Sequence, residues 1–317
     1  MATTTKTKTR KSTCRKPRKD AYEEITAKVL AALNEGTVMW HKPWHTTGDS
    51  FPVNIDSNRR YRGINVFLLD FTAMQMGYGS PRWGTYRQIA ARGGQVRKGE
   101  KGTEVVFWKI LKKEQEIDGE KQEVKIPMLR FYTVFNEDQA DWDPENDRRR
   151  PVAERVERDP VEAAEEILAD YLATGPSVRH GGDRAFYRPG GDFIMLPHIG
   201  DFDSVEAYHS TKFHEVTHST GHTKRLAREG IADGTFGAFG DPVYSKEELV
   251  AEMGAAMLCG IAGIDQAATI PETAAYLAHW RDALQGDNKL IVQAAAQAQK
   301  AVDLVLGTTF DNEEEES

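Results

Sequence analysis

The segment Phe213-His214-Glu215-Val216-Thr217-His218-Ser219-Thr220-Gly221-His222 decides how the second half of this 317-residue chain is read. On a helix, residues i and i+4 stand about 5–6 Å apart on one face, so His214 and His218 can ligate one ion. Glu215, next to the first imidazole, can reach a water on that ion and take its proton as a general base. An ion such as zinc brings the pKa of such a water toward about 7. The pattern therefore predicts a mononuclear zinc-peptidase-type site. The plainer alternative is a helix carrying two unrelated surface histidines. Phe213, Val216 and Thr217 weigh against it, since they flank the polar residues as a part-buried helix requires.

A third ligand has to come from elsewhere. The long metzincin pattern places a histidine six residues after the second one, and Lys224 occupies that position. His222 could share the face only if the helix ran past Gly221, which a glycine disfavours. The remaining source is a later helix, in Lys246-Glu247-Glu248-Leu249-Val250-Ala251-Glu252. Glu248 and Glu252 lie one turn apart. Glu248 is expected as the ligand and Glu252 as the carboxylate that orients a ligating imidazole. Glu247 is expected to be solvated, and His198, His209 and His222 to be surface or supporting residues.

Outward from this unit, Ser204 is an N-cap candidate for a helix over about 205–222, and Asp192–Pro197 reads as a strand. In zincin-like folds a strand at that position offers an edge to an extended peptide, while an ordinary core strand would look the same. Pro160 opens a helix through Leu172, and Ala185–Tyr187 reads as a short strand. Ser245 and Glu248 have the spacing of a capping box for a helix to Cys259. Further helices are expected at 271–285 and 287–306. Residues 141–159 hold Pro144, Pro151 and mixed charge runs, and read as a linker.

The first half is patterned differently. Tyr22, Ile25, Val29 and Leu33 recur at helical spacing after Asp20. Gly63–Met76 reads as a second helix and Trp83–Arg92 as a short third. Thr103–Lys112 and Lys125–Phe135 are strands by their β-branched and aromatic content, with the charged stretch 113–124 as the loop between them. The expected fold class is α+β, with two domains: an α+β unit at 21–140 and a mainly helical unit at 160–306. Residues 1–20 form a basic tail and residues 307–317 an acidic one.

Composition narrows the function classes. Apolar residues make up 39% of the chain and charged ones 28%, enough for packed cores without membrane character. No run is long and apolar enough to span a bilayer, and there is no apolar signal core, so a cytoplasmic protein with no membrane partner is expected. Two cysteines, Cys14 and Cys259, exclude a disulfide framework. Residues 1–140 carry 25 Lys+Arg against 16 Asp+Glu, a balance of +9, while the remainder stands at −17. The tail accounts for most of that basic excess, and residues 21–140 are only about +2.

Trp40, Trp44, Trp83 and Trp108 all precede residue 110, with Arg59, Arg62, Arg87, Arg97, Lys98 and Lys101 among them. Rings beside cations suit single-stranded DNA, with bases stacking on the rings and phosphates pairing with the cations. The stretch 93–102 is a glycine-rich basic loop able to hold phosphates, although no Gly-Lys-Ser/Thr makes it a P-loop. The alternative, tryptophans in the core and a solvated basic face, has equal weight on composition.

Several blocks together resemble the ArdC family of plasmid anti-restriction proteins. They are Tyr61-Arg62-Gly63-Ile64-Asn65-Val66, Trp83-Gly84-Thr85-Tyr86-Arg87-Gln88, Val96 to Thr103, Val134-Phe135-Asn136, His214 to His222 and Glu247 to Ala256. The resemblance covers roughly residues 20–306. It implies an N-terminal single-stranded-DNA-binding domain joined to a zincin-like metallopeptidase domain in a protein of plasmids or phage. It also implies protection of incoming DNA from host restriction. On this reading His214, His218 and Glu248 hold Zn2+ or another divalent cation, Glu215 is catalytic, and the partners are single-stranded DNA and a protein substrate. Two other readings stand beside it. One is a DNA-binding protector with a structural metal and no protease activity. The other is a metalloprotease whose first domain binds a protein.

Overall fold

The computed structural model describes residues 20–40, 51–117, 120–149, 158–234, 242–265 and 273–308, with the backbone alone for residues 108–128. The expectations for residues 1–19 and 309–317 and for Trp44 lie outside them.

Asp20 opens helix α1 (Ala21–Asn34) by accepting the Tyr22 N–H, and Ile25, Val29 and Leu33 point into the core as their spacing predicts. Strand β1 (Val53–Asn54), helix α2 (Ile64–Met76), strand β2 (Arg82–Gly84), helix α3 (Tyr86–Ala91) and strand β3 (Gly94–Val96) follow. The expected helix 83–92 is therefore a strand and then a shorter helix. Thr85 sets the boundary, because its hydroxyl and the Gln88 side chain form a reciprocal capping box.

Strands β4 (Thr103–Ile117) and β5 (Glu120–Asn136) pair antiparallel from Thr103 opposite Val134 to Ile117 opposite Glu120. The expected loop 113–124 is thus almost all strand. Its charge misled the reading: two strands rich in charge can still complete their backbone ladder. Strand β6 (Ala140–Trp142) pairs with β3, so the first residues of the expected linker are ordered. Arg149 lies over the Trp142 ring at 4.3 Å.

The main sheet has the order β1-β2-β5-β4, which leaves β4 at an edge. Asn65 of α2 closes that edge. Its amide donates to the Val106 carbonyl at 2.7 Å and accepts the Val106 N–H at 2.8 Å. Both unsatisfied backbone groups of an edge residue are answered by one side chain.

The second half holds helix α4 (Pro160–Thr174), strands β7 (Ser177–His180), β8 (Phe186–Arg188) and β9 (Phe193–Leu196), and helices α5 (Val205–Ser219), α6 (Pro242–Ala262), α7 (Ala274–Gly286) and α8 (Leu290–Val305). The strands form a sheet of order β7-β9-β8. The expectation that Asp192–Pro197 supplies a free edge is corrected: β9 pairs on both sides, parallel to β7 and antiparallel to β8. The missed partner, Ser-Val-Arg-His at 177–180, has no alternation to reveal it. The Ser245–Glu248 capping box is also corrected. Helix α6 starts at Pro242, so Ser245 lies inside it and is buried.

One continuous apolar cluster joins α1, α2 and α4 to α8 with the inner face of β9. Helix α6 runs through it and buries Leu249, Val250, Met253, Ala255, Ala256, Met257, Leu258 and Cys259, nearly its whole circumference. Where α6 crosses α5, Gly254 lets the helices meet: a Cβ there would stand 2.5 Å from Thr217 Cγ2. We expect Gly254→Ala to push α6 off α5 and lower stability by about 1–3 kcal/mol. Calorimetry is the measurement, and an unchanged Tm would show that this crossing tolerates displacement.

Candidate metal centre

Ser204 caps α5 by accepting the Ala207 N–H at 3.1 Å. Phe213, Val216 and Thr217 are then fully buried, and His214 and His218 turn toward α6. The two Nε2 atoms lie 3.0 Å apart. The Glu248 carboxylate completes the group, with Oε2 at 3.5 Å from His214 Nε2 and Oε1 at 3.6 Å from His218 Nε2. Among the described residues these three form the cluster able to hold a metal ion. Donors at about 2.0–2.1 Å from a tetrahedral ion stand about 3.3 Å from one another. The residues present therefore fit a divalent cation in both donor type and spacing.

The group is electrostatically coupled. Burial opposes charge on His214, but its hydrogen bond to Glu248 and the charges of Glu215, Glu248 and Glu252 outweigh this and push its pKa up to about 9. Burial would raise the Glu248 pKa, yet His214, His218 and the Tyr244 hydroxyl hold it at about 2. Glu248 is thus an anion at neutral pH, as a metal ligand must be. Tyr244, one turn earlier on α6, is pushed up to about 12 by burial and by Glu248, with Glu215 and Glu252 adding to it. Its hydroxyl stays protonated. Glu215 is 7% exposed and close enough to act on both His214 and Tyr244.

The expectation that Glu247 is solvated is corrected. Its side chain is only 4% exposed and accepts from His218 Nδ1 at 3.2 Å. Arg228 donates to both carboxylate oxygens, Nε at 2.8 Å and Nη2 at 2.6 Å. The same guanidinium also reaches the Thr217 carbonyl and the Thr220 hydroxyl. Arg228 and His218 hold the Glu247 pKa below the usual carboxylate value, although burial pulls the other way. Glu247 therefore accepts and His218 Nδ1 carries the proton, which leaves the Nε2 lone pair free for an ion. Gly221 makes room, since a Cβ there would press on the Arg228 guanidinium at 3.1 Å. The glycine that ends α5 also admits the arginine.

Glu252, expected to orient a ligating imidazole, faces another way. It accepts from Trp40 Nε1 at 2.7 Å and from the Tyr276 hydroxyl. No pattern in the sequence separates the roles of Glu247 and Glu252, because only the packing of α6 on α5 decides which carboxylate meets His218. His222 and His209 stand outside the ligand group. Cys259 is buried, with its thiol pushed up to about 12 by that burial.

Of the nine residues expected to bind DNA, Trp40 and Trp83 are corrected. Each is 1% exposed, Trp40 packed against Trp280 and Trp83 in strand β2 at the heart of the sheet, so neither ring can take a base. Arg62 is held by Asp303 of α8. Arg59, Arg87, Arg97, Lys98 and Lys101 are exposed, and Trp44 lies outside the described residues. Arg97 and Lys98 line an open groove of about 460 Å3 with Gln95, Phe135, Asp141 and Tyr86. Tyr86 is 48% exposed. The sequence reading missed it by weighing tryptophans alone.

Residues 19–135 match the N-terminal domain of the anti-restriction factor ArdC, and residues 153–297 match a zincin-like metallopeptidase domain. Such a domain implies a divalent metal. The chain is 40% identical to the antirestriction ArdC protein from the R388 plasmid. In its metal-free crystal structure the likeness has a TM-score of 0.70 and covers 90% of this chain and 96% of that one. In the Mn(II)-bound structure the TM-score is 0.69, with 91% and 97% covered. A Sinorhizobium fredii protein, y4eC, is 37% identical over 90% of this chain and 91% of its own length. Two Escherichia coli proteins named DNA primase TraC are 39% and 38% identical, but this chain spans only 27% and 20% of their length.

Three substitutions test the centre. His214→Ala should lose the metal. Glu247→Gln should keep the fold while weakening Mn2+ or Zn2+ binding by about 10- to 100-fold, the range found when a partner of a ligating histidine is removed. Glu247→Ala leaves Arg228 as an uncompensated buried charge and should cost about 3–5 kcal/mol. Chelator competition reads the affinity. Wild-type affinity in Glu247→Gln would refute the orienting role.

Proposed function

The chain belongs to the ArdC family of anti-restriction proteins, and we propose that it is a cytoplasmic mobile-element protein that binds single-stranded DNA and carries a zinc-dependent peptidase site. The observation that carries the second half is the convergence of His214, His218 and Glu248 from two helices at donor spacings of 3.0–3.6 Å, with Glu215 beside them. Zinc is the metal of the proposal, and another divalent cation could serve in the same donor set.

A cation held there would supply Lewis acidity toward a carbonyl oxygen and make a water acidic enough to react near neutral pH. The chain's own groups do the rest. Glu215 takes the proton of the attacking water on its carboxylate and can return it to the departing amine. Glu247, fixed by Arg228, holds His218 in the tautomer that presents Nε2. Tyr244 keeps its proton and, from its bond to Glu248, is a donor facing the same space. A protein substrate is part of this reading. The outer strands β7 and β8 take over the peptide-binding role that β9 cannot fill.

The DNA half of the proposal rests on the exposed cations Arg59, Arg87, Arg97, Lys98 and Lys101 and on the groove beside Tyr86. The family's N-terminal domain supports it. The reading in which the metal is only structural draws less support. The R388 relative is known with and without Mn(II) in structures that match this chain almost equally, so its fold does not depend on the ion.

Glu215→Ala should retain metal and fold, lower peptide hydrolysis by about 10²–10⁴-fold, and lose anti-restriction in a transfer assay. Full protection by this variant would favour the DNA-binding protector. Single-strand binding should weaken with salt, with a slope of about −0.7 per neutralised phosphate. Lys98→Glu should flatten that slope. Binding indifferent to salt would argue for a protein partner of the first domain instead.

A further inference from the structure

One face of the β4–β5 hairpin carries an aromatic series that the metal centre does not use. Side chains alternate along strands, so Thr103, Val105 and Phe107 share a face with Arg130, Tyr132 and Val134, and the register sets Val105 opposite Tyr132 and Phe107 opposite Arg130. Ring centroids run from Tyr61 to Phe107 at 6.2 Å and from Phe107 to Tyr132 at 5.4 Å. The inner end of the series is fixed: Tyr61 is buried and its hydroxyl lies on the Trp83 carbonyl. The outer end is open, with Tyr132 42% exposed and Phe107 half-buried. Arg130 is half-buried, with its Nε shielded from solvent and without a hydrogen-bond partner. The nearest carboxylate on β4, Glu104, is on the opposite face, where it pairs with Lys28 of α1 at 3.0 Å.

We propose that this face is a stacking platform for unpaired nucleotides, with a base on the Tyr132 ring, which Phe107 supports edge-on at 77°, and an adjacent phosphate on Arg130. The proposal rests on the single-strand reading above and assigns to it a surface separate from the 97–101 loop. Charge complementarity favours a nucleic acid, because these six positions hold one cation and no carboxylate. A ring presented by a rigid strand accepts any unpaired base, whereas a base inside a duplex cannot be offered to it. Strand addition by a protein partner is blocked at Val106, where Asn65 already occupies the edge.

The test is fluorescence anisotropy of the full chain with a labelled oligo-dT of about 20 nucleotides and a duplex of equal length. Tyr132→Ala should raise the Kd for the single strand by about 5- to 100-fold, the range for loss of one stacked base. Tyr132→Phe should stay near wild type, and Arg130→Gln should make the salt slope shallower by about 0.7. Photocrosslinking with an iododeoxyuridine oligonucleotide should mark Tyr132. If the wild type binds and Tyr132→Ala binds equally well, the platform is wrong and the loop alone holds the DNA. If the wild type does not bind single strands, the broader DNA reading fails with it. A change of oligomeric state in Tyr132→Ala without loss of DNA affinity would give the face to a second copy of the chain and overturn the proposal.

Discussion

The second half of the molecule depends on one buried charge arrangement: Arg228, Glu247 and His218 bonded in series where α5 meets α6. Desolvating a carboxylate and a guanidinium is costly, and such a pair often adds little net stability over apolar residues of equal volume. What it adds here is definition. Glu247 meets His218 only at one rotation and height of α6 against α5, and that placement brings the next residue, Glu248, opposite both Nε2 atoms. The close contact of Gly254 with Thr217 acts in the same direction, by keeping the axes near enough for short side chains to meet.

The same helix ties the two halves together. Glu252, one turn beyond Glu248, receives the indole N–H of Trp40 and the Tyr276 hydroxyl. Trp40 lies in the segment matching the ArdC N-terminal domain and Glu252 in the metallopeptidase segment. A second bond, Arg62 to Asp303, joins α8 to the start of α2. Both contacts surround the apolar cluster shared by α1, α2, α7 and α8. Single carboxylates of α6 and α8 thus join the two segments.

Local pattern told a good deal and three-dimensional packing withheld the rest. The spacing of His214 and His218 placed both imidazoles on one side of α5, since helical geometry alone dictates it. The family motifs pointed to the ArdC family, whose N-terminal and zincin-like models both match. Which of three carboxylates on α6 ligates, and which supports, was half legible. Glu248 emerged from helical spacing, but Glu247 took the supporting part expected of Glu252, which holds Trp40 and Tyr276 instead, because rotation of α6 against α5 is a tertiary property. The tryptophans misled in the opposite sense. Trp40 and Trp83 look like stacking residues by composition, yet large rings gain most by full burial, and the exposed aromatics among the described residues of the first half are Tyr86 and Tyr132, whose hydroxyls tolerate water. The charged outer hairpin was invisible because residues 113–124 show no apolar alternation in sequence.

The amide bracket of Asn65 on Val106 has a consequence for how this protein behaves when concentrated or partly unfolded. An open, hydrogen-bond-hungry strand flank is a template on which other chains can grow into cross-β fibrils. Here the apolar stretch of β4 has that template occupied by its own helix, while the long outer arm of the hairpin is rich in lysine and glutamate. Solubility is thus guarded by a side-chain plug near the core and by charge farther out.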